Sequence, residues 1–184
     1  MKAPVFPFIK LTGLDPAPGP EMKSTGEVFG SDKDPYNAYL KARLATEIPV
    51  CKEGGVYLTV RDQDKSEVVN IARNLHGLGY QLYATLGTAD IIRSSGTPVM
   101  TVYRIRESKH PDALDLMRQG KVNFIINVPT VSGGAVRDGN MMRRLAVEMN
   151  IPFVTTISGA KMEVEAMRAM KNNDLEPVSL NVNY

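Results

Sequence analysis

From Gly55 onward, short apolar runs alternate with longer stretches in which apolar residues recur every three to four positions. The short runs predict strands at about Val56–Arg61, Gln81–Ala84, Val99–Ile105, Val122–Val128 and Phe153–Thr156. The longer stretches predict helices at about Lys65–Leu78, Ala89–Ser94, Pro111–Gln119, Asn140–Met149 and Ala160–Asn172. In the first of these, Val68, Val69, Ala72, Leu75 and Leu78 share a face, Asp64 stands at the N-cap position and Gly79 stops the helix. Met162, Val164, Ala166, Met167 and Met170 form a stripe on the last helix that reads as core packing. Strand and helix in regular succession predict an α/β fold, a parallel five-stranded sheet with flanking helices.

The pattern upstream is different. Residues 1 to 34 are rich in proline and glycine, with Pro16, Pro18 and Pro20 close together, and show neither period, which predicts extended, turn-rich chain. Pro35 to Glu47 then place Tyr36, Tyr39, Leu40 and Leu44 on one helical face, with Pro35 suited to the first turn. Ile48 to Gly55, with Pro49 and the Gly54-Gly55 pair, reads as a linker and divides the chain into 1–50 and 51–184. At the far end Val178, Leu180 and Val182 alternate strictly, as in an edge strand or a tail.

Composition narrows the classes. With 184 residues, 43% hydrophobic, the chain can bury one ordinary core plus an appendage. Its 22 basic and 20 acidic residues are spread along the chain, so there is no basic footprint for nucleic acid. The longest apolar runs, such as Val122 to Pro129, are too short for a membrane helix. A single cysteine, Cys51, allows no internal disulfide, and the N-terminus does not read as a signal peptide, so a cytoplasmic location is expected. Cys51 reads as an inert thiol. His76 and His110 have no metal-ligand spacing, so no metal site is expected.

In an open parallel sheet, ligands gather beyond the carboxyl ends of the strands, where helix N-termini present backbone amides. Three segments fall there. Thr59 to Lys65 ends a strand and opens a helix with a lysine, which a bound anion would offset against the helix dipole. Thr85-Leu86-Gly87-Thr88 either offers two hydroxyls and open amides to an anion or is a turn in which Thr88 caps a helix. Asn127 to Gly134 is a glycine-bearing loop, ligand-binding or a surface connection. Arg104 and Arg106 end the third strand, and Arg143-Arg144 read as a surface pair.

The runs Phe6-Pro7-Phe8-Ile9-Lys10, Gly13-Leu14-Asp15-Pro16 and Gly19-Pro20-Glu21-Met22-Lys23-Ser24-Thr25-Gly26-Glu27-Val28-Phe29-Gly30 resemble the end of the second ATP-grasp domain of the large subunit of carbamoyl-phosphate synthetase. The helix and the methylglyoxal synthase-like regulatory domain that follow in that family are matched here by Pro35–Glu47, Thr59 to Lys65, Thr85 to Thr88, Ile125 to Asn127, Met142 to Arg144 and Thr155-Thr156. The resemblance covers nearly the whole chain. It implies a regulatory C-terminal portion of an enzyme that makes carbamoyl phosphate from bicarbonate, ATP and glutamine-derived ammonia, for arginine and pyrimidine synthesis. ATP with Mg or Mn would serve the parent enzyme; no cofactor is expected in this chain, because no complete ATP-grasp domain fits in the first 50 residues. Lys65, Thr85, Gly87 and Thr88 would hold the phosphate or carboxylate of an anionic effector such as UMP, IMP or acetylglutamate. Thr59, Arg104 and Asn127 would line the same pocket, and Thr155 matches a position that meets ornithine in some members. The rest of the large subunit and the glutaminase small subunit would be its partners. Val128-Pro129 replaces the hydroxyl residues that nucleotide-responsive members tend to carry, which leaves the effector open.

The same fold implies an alternative, a methylglyoxal synthase-type lyase acting on dihydroxyacetone phosphate. Its Gly-Gly-Asp arrangement is missing: Gly133-Gly134 is followed by Ala135-Val136-Arg137, and Asp138 reads as a helix-start residue. IMP cyclohydrolase relatives need a lysine-bearing motif of which Glu107 to Pro111 keeps only the final His-Pro.

Overall fold

In the computed structural model, which describes residues 1–6, 16, 22–46, 48–129, 134–172, 175–177 and 179, the chain begins with a hairpin. Strand β1 (Lys2–Val5) pairs antiparallel with β2 (Gly26–Phe29). Residues 1 to 34 are therefore not simply extended. Two four-residue strands too short to show a period find each other across the intervening chain. Helix α1 (Pro35–Leu44) follows, capped by Asp34, whose Oδ1 accepts from the backbone N–H of Tyr36 at 2.8 Å and of Asn37 at 3.0 Å. Its buried residues are Ala38, Leu40 and Ala42, whereas Tyr36 and Leu44 are exposed, so the apolar face differs from the one predicted.

The sheet is built from β3 (Gly55–Thr59), β4 (Gln81–Thr85), β5 (Met100–Val102), β6 (Phe124–Asn127) and β7 (Phe153–Val154), all parallel and ordered β5-β4-β3-β6-β7. Between them run α2 (Lys65–Gly77), α3 (Leu86–Ser94), α4 (Ala113–Arg118) and α5 (Gly134–Glu148), with α6 (Ile157–Asn172) last. All five predicted strands are present. The strand order grows outward from β3 in one direction and then returns to β6, so the connections change faces between β3 and β6. Side-chain alternation sorts the core accordingly. Val56 and Leu58 pack with residues of α2, α3 and α6, and Tyr57 packs with residues of α4 and α5.

Three helices start earlier than their periodicity predicts, α3 at Leu86, α5 at Gly134 and α6 at Ile157. Each first turn carries a glycine, Gly87, Gly134 or Gly159, which interrupts the apolar stripe and lowers helix propensity. The Thr156 hydroxyl accepts from the Gly159 N–H at 3.1 Å and opens α6. Asp64 occupies the position before α2 but makes no capping bond, because its carboxylate accepts from Arg61 Nε at 2.7 Å instead. The stretch read as a linker is packed: Val50 and Cys51 are buried, and the Tyr80 hydroxyl donates to the Cys51 carbonyl at 2.7 Å. Burial pushes the Cys51 thiol up to about 11, which leaves it protonated and unreactive at neutral pH. No described helix is long and apolar enough to cross a membrane. The alternating segment Val178, Leu180 and Val182, residues 130–133 of the stretch expected to be a loop, and most of the residues before Met22 that carry the resemblance lie outside the described residues.

Candidate functional site

The carboxyl ends of β3 and β6 lie side by side where the connections change faces, with Thr59 opposite Asn127 in register and the Val128 N–H donating to the Thr59 carbonyl at 2.9 Å. A crevice of about 210 Å³ opens above them. Seven of the residues expected to form one site line it: Thr59, Lys65, Thr85, Gly87, Thr88, Arg104 and Asn127. The reason is topological. β3, β4, β5 and β6 are neighbours and parallel, so the loops leaving them converge at one end.

Lys65 is the first residue of α2. Its ammonium reaches across to the first turn of α3, where it lies 3.4 Å from the place a Cβ on Gly87 would occupy. It also pairs with Asp62 at 2.7 Å, and this neighbour holds the exposed Asp62 carboxyl below the usual range. Thr85 ends β4 and precedes α3 with extended backbone, and its side chain makes no capping bond. Thr88 lies inside α3 and is buried, so it is not the cap that the sequence allowed as one reading. Arg104 follows β5 and leads into a 3-10 turn at Ile105–Glu107, which carries Arg106 to the crevice as well.

Thr155, whose resemblance is to a position that meets ornithine in some members, does not line this crevice. It lines an adjoining depression of about 290 Å³ with Asp64, Thr156 and Ser158, which shares Arg61, Val128 and Pro129 with the crevice. β7 is at the sheet edge beyond β6, so the chain leaving it opens one strand away from the crevice.

Two residues read otherwise from sequence belong to the crevice region. Asp138 is not at a helix start, because α5 begins at Gly134; it lines the crevice, partly buried. Its carboxyl is pushed above the usual aspartate range chiefly by burial, against the lowering influence of Arg106 and Arg104. The Tyr57 phenol nearby is pushed up by burial and by the charge of Asp138, so it stays protonated. Arg143 is no surface residue: it is 1% exposed, and its guanidinium donates to Asn127 Oδ1 and, at 2.5 Å, to Asn140 Oδ1. Arg143 and Arg144 are indistinguishable in type, and only the phase of a helix starting at Gly134 turns the first of them inward.

His110, Asp112 and Asp115 bring their ligand atoms within 4.8 Å of one another, a cluster that the spacing of histidines did not reveal. Its atoms are engaged in capping α4. Asp112 Oδ1 accepts from the Asp115 N–H at 3.0 Å, Asp115 Oδ2 accepts from the Asp112 N–H at 3.0 Å, and His110 Nδ1 meets the same oxygen at 2.5 Å.

Residues 67–155 match the family model of the MGS-like domain. Over 98% of its length the chain is 48% identical to the carbamoyl phosphate synthase large chain, C-terminal section, of Methanocaldococcus jannaschii, covering 29% of that protein. It is 44% identical over 93% of its length to the C-terminal section from Methanopyrus kandleri, covering 31% of it. The chain carries an MGS-like domain and belongs with the C-terminal ends of carbamoyl phosphate synthase large chains. It is also 42% identical over 98% of its length to the undivided large chain of Methanosarcina acetivorans, of which it spans 17%. The chain thus spans less than a third of the length of these relatives. Their names do not favour the lyase alternative, although Asp138 does face the crevice of this MGS-like fold.

Proposed function

We propose that the crevice binds an anionic effector and that the chain regulates, as the C-terminal part of a carbamoyl phosphate synthase large chain, the ATP-dependent synthesis of carbamoyl phosphate from bicarbonate and glutamine-derived ammonia. In this reading β1, β2 and α1 continue the catalytic region, and the partners are the rest of the large chain and a glutaminase subunit. The observation that carries it is the seating of Lys65 over Gly87, with Thr85 and Thr88 in the same crevice. The ammonium, two hydroxyls and the amides of the first turn of α3 surround one small volume, and an oxyanion can engage all of them while replacing the exposed Asp62 as the partner of Lys65.

Calorimetric titration with UMP, IMP, N-acetylglutamate and inorganic phosphate tests this. A charge-assisted hydrogen bond contributes roughly 1.5 to 3 kcal/mol, so Lys65→Ala is expected to weaken binding about ten- to a hundredfold while leaving the ligand-free melting temperature nearly unchanged. A ligand that binds the variant as tightly as the wild type, or the absence of any saturable site, contradicts the reading.

Binding is expected to depend on pH through Asp138. Ionised, it places a negative charge in the crevice that an anion must enter, so a bound anion raises its pKa further and binding takes up protons. Affinity for sulfate, whose charge is constant across this range, should rise as pH falls through the elevated titration of Asp138. Asp138→Asn should bind more tightly at neutral pH and lose the proton uptake seen in buffers of different ionisation enthalpy. A flat affinity profile in the wild type counts against the effect.

A further inference from the structure

We propose that Arg143 is a positioning residue for ligand recognition. By holding Asn127 Oδ1 it turns the Asn127 amide N–H₂ into the crevice, so that the ligand atom seated over β3 and β6 is a hydrogen-bond acceptor, an oxyanion or carbonyl oxygen. This rests on the crevice being a ligand site and adds which atom is read there.

The orientation follows from hydrogen-bond chemistry. A guanidinium has only donors, so the atom of the Asn127 carboxamide that Arg143 meets must be the oxygen. The nitrogen is thereby directed elsewhere. Asn127 is 5% exposed, and among the described residues no acceptor meets its Nδ2, yet none of their fully buried side-chain nitrogens or oxygens lacks a partner. Nδ2 is therefore the part of Asn127 that reaches open space, and Asn127 lines the crevice. A donor so placed beside Thr59, its register partner, calls for an acceptor on the ligand.

Two further residues make the arrangement possible. Asn140, one turn back on α5, accepts from Arg143 Nη2 at 2.5 Å and fixes the fork of the guanidinium. Gly139 leaves the space: a Cβ there would lie 2.8 Å from Arg143 Nη1 and 3.2 Å from Asn127 Oδ1, in the path of the bond. Arg143 itself makes no direct claim on the ligand, and its influence passes through Asn127.

Asn127→Asp is the informative variant. It keeps an oxygen for Arg143 and the shape of the side chain, but replaces the N–H₂ donor with a charged acceptor. Its melting temperature should equal or exceed that of the wild type, while its affinity for inorganic phosphate falls by about tenfold or more. Gly139→Ala, which blocks the contact, should weaken phosphate binding through a displaced Asn127. In ¹⁵N NMR of the ligand-free wild type, the Asn127 side-chain N–H₂ protons should exchange rapidly with water and those of Arg143 Nη1 slowly, with the Asn127 pair shifting on phosphate addition. Protected Asn127 N–H₂ protons in the free protein overturn the orientation whatever the binding result. Phosphate binding that depends on Lys65 but is unaffected by Asn127→Asp overturns the inference and leaves the effector reading intact. If the wild type binds none of UMP, IMP, N-acetylglutamate and phosphate, the effector reading fails, and the exchange rates still decide the orientation.

Discussion

Glu163→Ala is expected to destabilise the fold by roughly 3 to 5 kcal/mol in urea unfolding, a large part of the total for a domain of this size. Glu163 is 3% exposed on α6, and its Oε1 accepts from the Tyr39 hydroxyl at 2.6 Å and from Arg43 Nε at 2.5 Å, both on α1. Removing the carboxylate leaves a mostly buried guanidinium and a partly buried phenol without this acceptor. The Tyr39 phenol is pushed well up by burial and by the Glu163 charge, so it remains a donor throughout the neutral range. The double replacement Arg43→Met with Glu163→Leu should lose less than either single change, since neither charge is then stranded. A loss below about 1 kcal/mol for Glu163→Ala, the worth of an exposed pair, would show that the α1–α6 contact is held by apolar packing alone. In the proposed reading this contact is also where the preceding catalytic region is fastened to the effector domain.

Gly55→Ala is the second large effect, with an expected cost of about 3 kcal/mol. Gly55 opens the central strand β3, where its N–H donates to Asn123 Oδ1 at 3.0 Å and its carbonyl accepts from the Asn123 N–H at 2.8 Å. A Cβ there would sit 2.0 Å from the Lys121 carbonyl oxygen and 2.6 Å from the Tyr83 ring. Neither can retreat without disturbing the sheet. Gly77→Ala is the matched control: nothing lies within 4 Å of its Cβ position at the end of α2, so the change should be neutral or stabilise by about 0.5 to 1 kcal/mol. Equal melting temperatures for the two variants would contradict the steric argument.

The strand–helix succession was legible because its signal is local. Strands of a sheet covered on both faces are apolar throughout, as in Phe124-Ile125-Ile126, and the helices between them carry one apolar stripe. The crevice was legible for the same reason, since parallel strands must end together and the polar residues that close β3, β4 and β6 must meet. The hairpin β1–β2 escaped notice because its pairing joins residues more than twenty apart along the chain. The early starts of α3, α5 and α6 escaped because glycine-bearing first turns have no stripe to read.

Sequence by itself determined the class of fold, the polar ends of the strands and a lysine at the mouth of α2, all of which depend on residue type and spacing within a few positions. Tertiary structure alone decided that Thr155 lines a neighbouring depression rather than the crevice, that Glu163 anchors α1 and that Arg143 turns inward to hold Asn127. Each of these depends on which elements become neighbours. Strand order places β7 at the edge, helix packing brings Tyr39 and Arg43 to Glu163, and a missing Cβ at Gly139 lets one of two adjacent arginines reach a strand sixteen residues away.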